Sequence, residues 1–215
     1  MSIYFNQIQP AAFNFNHSSQ SIWGNEVGLT QGNVYQILAS SGSGKSTFVS
    51  FIAGLRGDYS GDISINNKKI SAYHPKEWSK WRSKDASFVF QDLRLFPELT
   101  VIDNINIIND SNITNEQVRS SQLNSIAEQL GMDSKLNTLA KFLSFGQMQR
   151  VAIIRALNRK YNWLIMDEPF SHLDENNAQI AWNLIKKDAS INNAGIIITS
   201  LDPYPFILPD KIFIL

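Results

Sequence analysis

Two short stretches carry most of the chemistry in this sequence. ASSGSGKST, residues 39–47, lies between the apolar runs VYQIL and FVSFIAGL. A strand, a Gly/Ser turn ending in Lys-Ser, and then a helix is the setting in which a loop cradles phosphate. Glycines let backbone N–H groups turn towards an anion with no Cβ in the way. The helix start adds the positive end of its dipole, and Lys45 supplies a point charge for the outer phosphates. Ser46 is placed to ligate Mg²⁺, a hard cation that prefers oxygen. The candidate nucleotide-binding residues are therefore Ala39, Ser40, Ser41, Gly42, Ser43, Gly44, Lys45, Ser46 and Thr47. Such loops open with glycine where this one has Ala39; alanine adopts that backbone if φ is negative, so binding is expected to survive. The second stretch is WLIMDEP, residues 163–169, an apolar strand ending in two carboxylates. Asp167 at the strand tip suits a Mg²⁺ shell, and Glu168 suits orienting or polarising an attacking water.

The elements that must position these residues are readable from periodicity. VYQIL, SFVF, NWLIM, GIIIT and KIFIL are continuous apolar or β-branched runs, as expected for strands of a parallel sheet covered on both faces. GDISINNKKIS alternates around Asn66-Asn67 and predicts a small antiparallel hairpin. ITNEQVRSSQLNSIAEQLGM is amphipathic at helical spacing through Val118, Leu123, Ile126, Ala127 and Leu130, and stops at Gly131. SFGQMQRVAIIRALNRK predicts another helix, capped by Ser144. With the N–H groups of Gly146 and Gln147, that cap makes an anion-binding helix start, which has no phosphate to hold unless a second molecule supplies one. The expected fold is α/β: a mainly parallel sheet with an inserted helical arm.

Bulk composition narrows the function classes. The 215 residues can bury one substantial core, and Lys+Arg and Asp+Glu balance at 19 each. Zero net charge argues against broad electrostatic capture of nucleic acid. Cysteine is absent, which excludes disulfides and thiolate metal sites. His17 and His74 sit in polar stretches and show no metal-ligand pattern. The amino-terminal MSIYFNQIQPAAF lacks the features of a signal peptide, and no apolar stretch approaches the roughly 20 residues that span a bilayer. The expectation is a cytoplasmic protein.

LSFGQMQR, residues 143–150, lying ahead of WLIMDEP, decides the class. It resembles the signature of ATP-binding cassette (ABC) ATPases, the motor subunits of ABC transporters, and the likeness runs in order along nearly the whole chain. ASSGSGKST looks like the family's Walker A loop, FVFQD carries its Q-loop glutamine at Gln91, LIMDEP looks like Walker B, and FSHLD, residues 170–174, resembles the D-loop. The resemblance implies a P-loop NTPase core with a mainly parallel sheet, a small antiparallel β subdomain and an inserted α-helical subdomain. Residues 1–91 and 150–215 would form the core and β subdomain, and 92–149 the helical subdomain ending in the signature. It implies catalytic roles for Glu168 and Gln91, and Mg²⁺ held by Ser46, Gln91 and Asp167. It also implies ATP contacted in trans by Ser144, Gly146 and Gln147 of a second ABC subunit, in a homo- or heterodimer. An upstream aromatic is expected to stack on adenine. Counting back from Gly32 points to Phe15, with Phe13 next, and either residue equally suits a core. A transmembrane permease subunit gripping the surface from Gln91 to Ile105 would hold the protein at the inner face of the cell membrane. The wording is similar to the branch serving lipoprotein release, cell division and macrolide export.

Two departures stand out. Phe145 replaces the first signature glycine, at the more permissive of the two positions. Ser200 stands where the family has a switch histidine that contacts the γ-phosphate, and serine is shorter and uncharged. Two functions follow: an ATP-hydrolysing transporter subunit, or an ATP-gated clamp with little turnover. A soluble ABC ATPase working on DNA or ribosomes usually carries two cassettes or a long coiled-coil insertion, and neither fits in 215 residues. Trp78 and Trp81, three apart, are expected to pack between subdomains, and His172 to lie near a dimer seam rather than act as a base.

Overall fold

The computed structural model describes residues 1–11, 18–107 and 116–215, with backbone alone for 116–120. Its first sheet is antiparallel, in the order β2-β1-β4-β5, from β1 (Ser2–Pro10), β2 (Glu26–Thr30), β4 (Tyr59–Ile65) and β5 (Lys68–Lys69). Asn66 and Asn67 turn the β4-β5 hairpin with φ of +51° and +63°, the left-handed backbone that Asn tolerates in tight turns. The expected hairpin is thus one half of a four-stranded sheet. The other half escapes a period-two reading because β1 is bulged. Its register shifts between Asn6 and Gln9, and Gln7 has φ +51°. The buried set accordingly passes from Ile3 and Phe5 to Ile8 and Pro10, out of phase by one residue.

The second sheet has five strands, ordered β6-β7-β8-β3-β9: β3 (Val34–Leu38), β6 (Ala86–Val89), β7 (Trp163–Asp167), β8 (Gly195–Ser200) and β9 (Lys211–Ile214). Every neighbouring pair is parallel. In β3, β6, β7 and β8 the apolar runs are continuous because successive residues enter different cores, whereas the edge strand β9 buries only Phe213 and exposes Ile212 and Ile214. Tyr35, Ile37, Trp163, Ile165 and Ile197 face the antiparallel sheet and helix α1 (Lys45–Ile52), with Trp23, Phe48 and Phe51. Leu164, Met166, Ile196 and Ile198 face α5 (Phe145–Leu157) and α6 (Glu175–Asn192). Shorter helices are α2 (Pro75–Lys80) and α3 (Val101–Asn106), and α4 (Glu116–Gln129) packs Leu123, Ile126, Ala127 and Leu130 against the second core. Trp81 donates from Nε1 to the Ile52 carbonyl at 2.8 Å, so it packs beneath the end of α1. The Val118 side chain lies outside the described residues.

The sheet order places the carboxyl ends of β3, β7 and β8 side by side. Asp167 pairs with Thr199, and Leu38 with Ser200. A ligand belongs in the crevice off those ends.

Candidate functional site

The phosphate loop springs from the end of β3. Gly42 has φ +82° and Gly44, the N-cap of α1, φ +101°, conformations that glycine enters without a Cβ penalty. Ser43 folds back, its hydroxyl donating to the Ser40 carbonyl at 2.8 Å. Ala39 has no left-handed φ, so alanine is unstrained there. Its N–H donates to the Ser200 carbonyl at 3.1 Å. Lys45 curls over the loop, donating to Ala39 O at 3.0 Å and Ser40 O at 3.2 Å, and its ammonium pairs with Glu168 Oε1 at 3.2 Å. That ion pair is well shielded, at 7% and 13% side-chain exposure. Ser41, Gly42 and the run Gly44–Thr47 line, with Gln91 and Glu168, a cleft of about 250 Å³.

An adjoining cleft of about 330 Å³ is lined by Ser46, Gln91 and Asp167 together with Phe90, Asp92 and Arg94. Ser46 Oγ donates to Gln91 Oε1 at 3.1 Å. Asp167 Oδ1 accepts from Thr199 Oγ1 at 2.6 Å. A hydroxyl, an amide oxygen and a carboxylate suit a hard divalent cation that keeps several waters. No cluster of three or more His, Cys, Asp or Glu suited to a metal occurs among the described residues. Glu168 sits at φ +48°, strained for a residue with a Cβ. Burial first, and then the Glu168 carboxylate, push the nearby Tyr204 phenol far above its ordinary value, so it stays protonated.

Ser144 caps α5 in a reciprocal box. The Gln147 N–H donates to Ser144 Oγ at 3.3 Å, and the Ser144 N–H to Gln147 Oε1 at 3.0 Å. Gly146 passes so close to the 170–174 loop that a Cβ there would lie 2.7 Å from the His172 carbonyl oxygen. Phe145 projects outward at 64% exposure, its ring 5.3 Å from that of His172. Neither cleft includes any of residues 144–147. Ser200 is also apart from the clefts: it is buried, and its Oγ accepts from Gln36 Nε2 at 3.0 Å. Phe13 and Phe15 lie outside the described residues.

Three residues were not anticipated as parts of this site. Thr199 anchors Asp167, as above. Gln149, buried on α5, donates to the Glu168 carbonyl at 3.0 Å and accepts from the His172 N–H at 2.9 Å. Arg155 donates to the carbonyls of Leu93 and Arg94 at 2.6 and 2.7 Å. It thereby braces two consecutive left-handed residues, φ +57° and +46°, just beyond Gln91. A polar side chain at helical spacing within the apolar face of α5 is the signal that marks both Gln149 and Arg155.

Comparison with known proteins then identifies the architecture. The family model described as ABC transporter matches residues 24–171. The chain belongs to the ABC transporter family. Within that family this is an ATPase cassette, similar to the lipoprotein-releasing system ATP-binding protein LolD of Buchnera aphidicola subsp. Acyrthosiphon pisum, with 34% identity over 175 residues, 81% of this chain and 77% of that one. It is 38% identical over 149 residues to the thiamine import ATP-binding protein ThiQ of Aliivibrio fischeri, covering 69% of this chain but 61% of ThiQ. Among solved structures, the dimeric MJ0796, a bacterial ABC transporter cassette, superposes with a TM-score of 0.83 at 25% identity over all of this chain and 94% of its own. A dimeric post-hydrolysis state of MJ0796 bound to ADP and Pi gives 0.77 at 26% identity, covering 94% and 88%.

Proposed function

We propose that this ABC ATPase binds ATP·Mg²⁺ in the two adjoining clefts and closes head-to-tail with a second cassette to drive a transmembrane permease subunit. The observation that carries the reading is the Lys45–Glu168 pair, 3.2 Å apart at the mouth of the phosphate loop. It sets a cation for the outer phosphates beside a carboxylate able to take a proton from water. Loop N–H groups and the α1 dipole hold the β- and γ-phosphates. Ser46, Gln91 and Asp167 would hold Mg²⁺, which supplies charge neutralisation at the phosphates when bound. Glu168, released from Lys45 by the incoming anion, orients the water and accepts its proton. The adenine is assigned to Phe15.

In trans, the exposed Ser144 tip with Gly146 and Gln147 faces the γ-phosphate of the second subunit's ATP. Those contacts exist only in the closed pair, so hydrolysis reopens it. Residues 92–149 move as the helical arm, and the surface from Gln91 to Ile105 receives the permease. No described helix is long and apolar enough to cross a membrane; in this reading the protein works peripherally, at the inner face of the cell membrane, through the permease subunit. Lys45→Ala is expected to abolish nucleotide binding, and Glu168→Gln to accumulate an ATP-bound dimer. Purified protein that neither binds Mg·ATP nor dimerises with it sinks the reading. A second reading, a clamp with little hydrolysis, draws on Ser200, whose hydroxyl faces Gln36 inside the sheet. Tight ATP binding with no phosphate release selects it.

A further inference from the structure

Thr47 ends the loop sequence and lines the same cleft as Lys45 and Ser46. Its hydroxyl is set up differently from that of its neighbour Ser50. Ser50 Oγ donates to the Ser46 carbonyl one turn back, at 2.6 Å, the usual way a hydroxyl on a helix disposes of its proton. Thr47 Oγ1 instead accepts from Arg56 Nη1 at 3.1 Å. A guanidinium can only donate, so this contact uses a lone pair of Thr47 and leaves its proton free for an acceptor in the cleft.

Arg56 is itself held in place from outside the cleft. Its Nε donates to Asp58 Oδ1 at 2.9 Å and its Nη2 to Asp58 Oδ2, a forked pair. Its guanidinium carbon stands 5.9 Å from the centre of the Phe51 ring, on α1. The Asp58 carbonyl in turn accepts from the Ala11 N–H at 2.9 Å, at the end of β1. The pair is exposed and its charges cancel, so it adds little to the general attraction of an anion. What it supplies is direction.

We infer that Arg56 is a positioning residue for the nucleotide: held by Asp58, it fixes the Thr47 hydroxyl as a hydrogen-bond donor to a phosphate oxygen in the loop. This rests on the nucleotide reading of the cleft given above. The ligand class is a nucleoside di- or triphosphate, since Thr47 lies one residue beyond the Ser46 that faces the cation cleft.

The test is a cycle of ADP affinities, measured by calorimetry with Mg²⁺ on the purified full chain. Arg56→Ala is expected to weaken ADP binding about three- to tenfold, the range of one ordinary hydrogen bond, because the Thr47 donor is loosened rather than removed. In a Thr47→Val background, which keeps the side-chain shape and removes the hydroxyl, the same Arg56→Ala change is expected to have no further effect. A merely structural role for Arg56, through its contacts with Asp58 and Phe51, would weaken binding equally in both backgrounds. Equal losses, or no loss from Arg56→Ala alone, overturn the inference. Lys45→Ala run alongside separates the two levels: if it leaves ADP affinity intact, the nucleotide reading itself fails. If it abolishes binding while Arg56→Ala does nothing, only the role of Arg56 falls.

Discussion

Glu168→Gln is usually thought of as a hydrolysis variant, but in this site it should first change nucleotide affinity. The carboxylate and an incoming phosphate compete for Lys45, which donates to two loop carbonyls and is ion-paired with Glu168. At 3.2 Å and an effective dielectric of about 20, the pair's attraction is about 5 kcal/mol before desolvation. Desolvation offsets most of that for shielded ions. A remainder of about 1–2 kcal/mol is then released when a neutral amide replaces the carboxylate, which is about five- to thirtyfold in binding. ADP is the right probe because it meets Lys45 without forming the γ-phosphate contacts that close a dimer. Calorimetry should find tighter ADP binding by that factor, while steady-state phosphate release falls by about a hundredfold or more with loss of the base. The nucleotide-free variant should also melt lower than the parent, with the gap narrowing in ADP. Unchanged or weaker ADP affinity would refute the competition, whatever happens to turnover.

Other consequences can be checked with standard assays. Asp188, a buried residue of α6 beside Tyr161, has its carboxyl pushed above the usual range, mainly by burial and against the hydrogen bonds from Tyr161 and Asn192. Stability contributed by a raised carboxyl is present in acid and is lost as pH climbs from the ordinary carboxylate range through the raised value. Asp188→Asn should therefore gain on the parent between pH 4 and pH 7 in thermal melts; a gap that shrinks with pH contradicts the sign. Gln149→Leu strands the Glu168 carbonyl and the His172 N–H. It should cost about 2–4 kcal/mol by denaturant titration and lower turnover by about tenfold through the loosened Glu168 turn. Full turnover in a variant of reduced stability would show that Gln149 is structural only.

What the sequence disclosed depended on whether chemistry was local. Lys45, Ser46 and Asp167 could be read because a strand–loop–helix and an apolar strand tip impose their geometry within a few residues, whereas Gln91 was read only through the family resemblance of FVFQD. Four of the parallel strands could be read because each buries both faces, and the edge strand β9 because its KIFIL run is apolar although only Phe213 is buried. β1 could not, since the Gln7 bulge reverses its phase. Nor could the braces: Thr199 on Asp167, Gln149 on Glu168 and Arg155 on the Leu93–Arg94 turn are contacts across 32, 19 and about 61–62 positions. Ser200 was legible as a departure, but not its partner. Only the pairing of β3 with β8 brings Gln36 onto it.

Helix α1 carries Lys45 at one end, while its body buries Phe48 and Phe51 in the cluster shared by both sheets. The floor of the nucleotide cleft is therefore also the keystone between two halves of the chain. A ligand seated on that floor should act as a clamp on global unfolding, worth about 2.7 kcal/mol at a hundredfold excess over its dissociation constant. By the same linkage, a methyl group trimmed from Phe48's surroundings, far from any phosphate, should lower the melting temperatures of the free and the nucleotide-bound protein together and leave the affinity of the folded state unchanged.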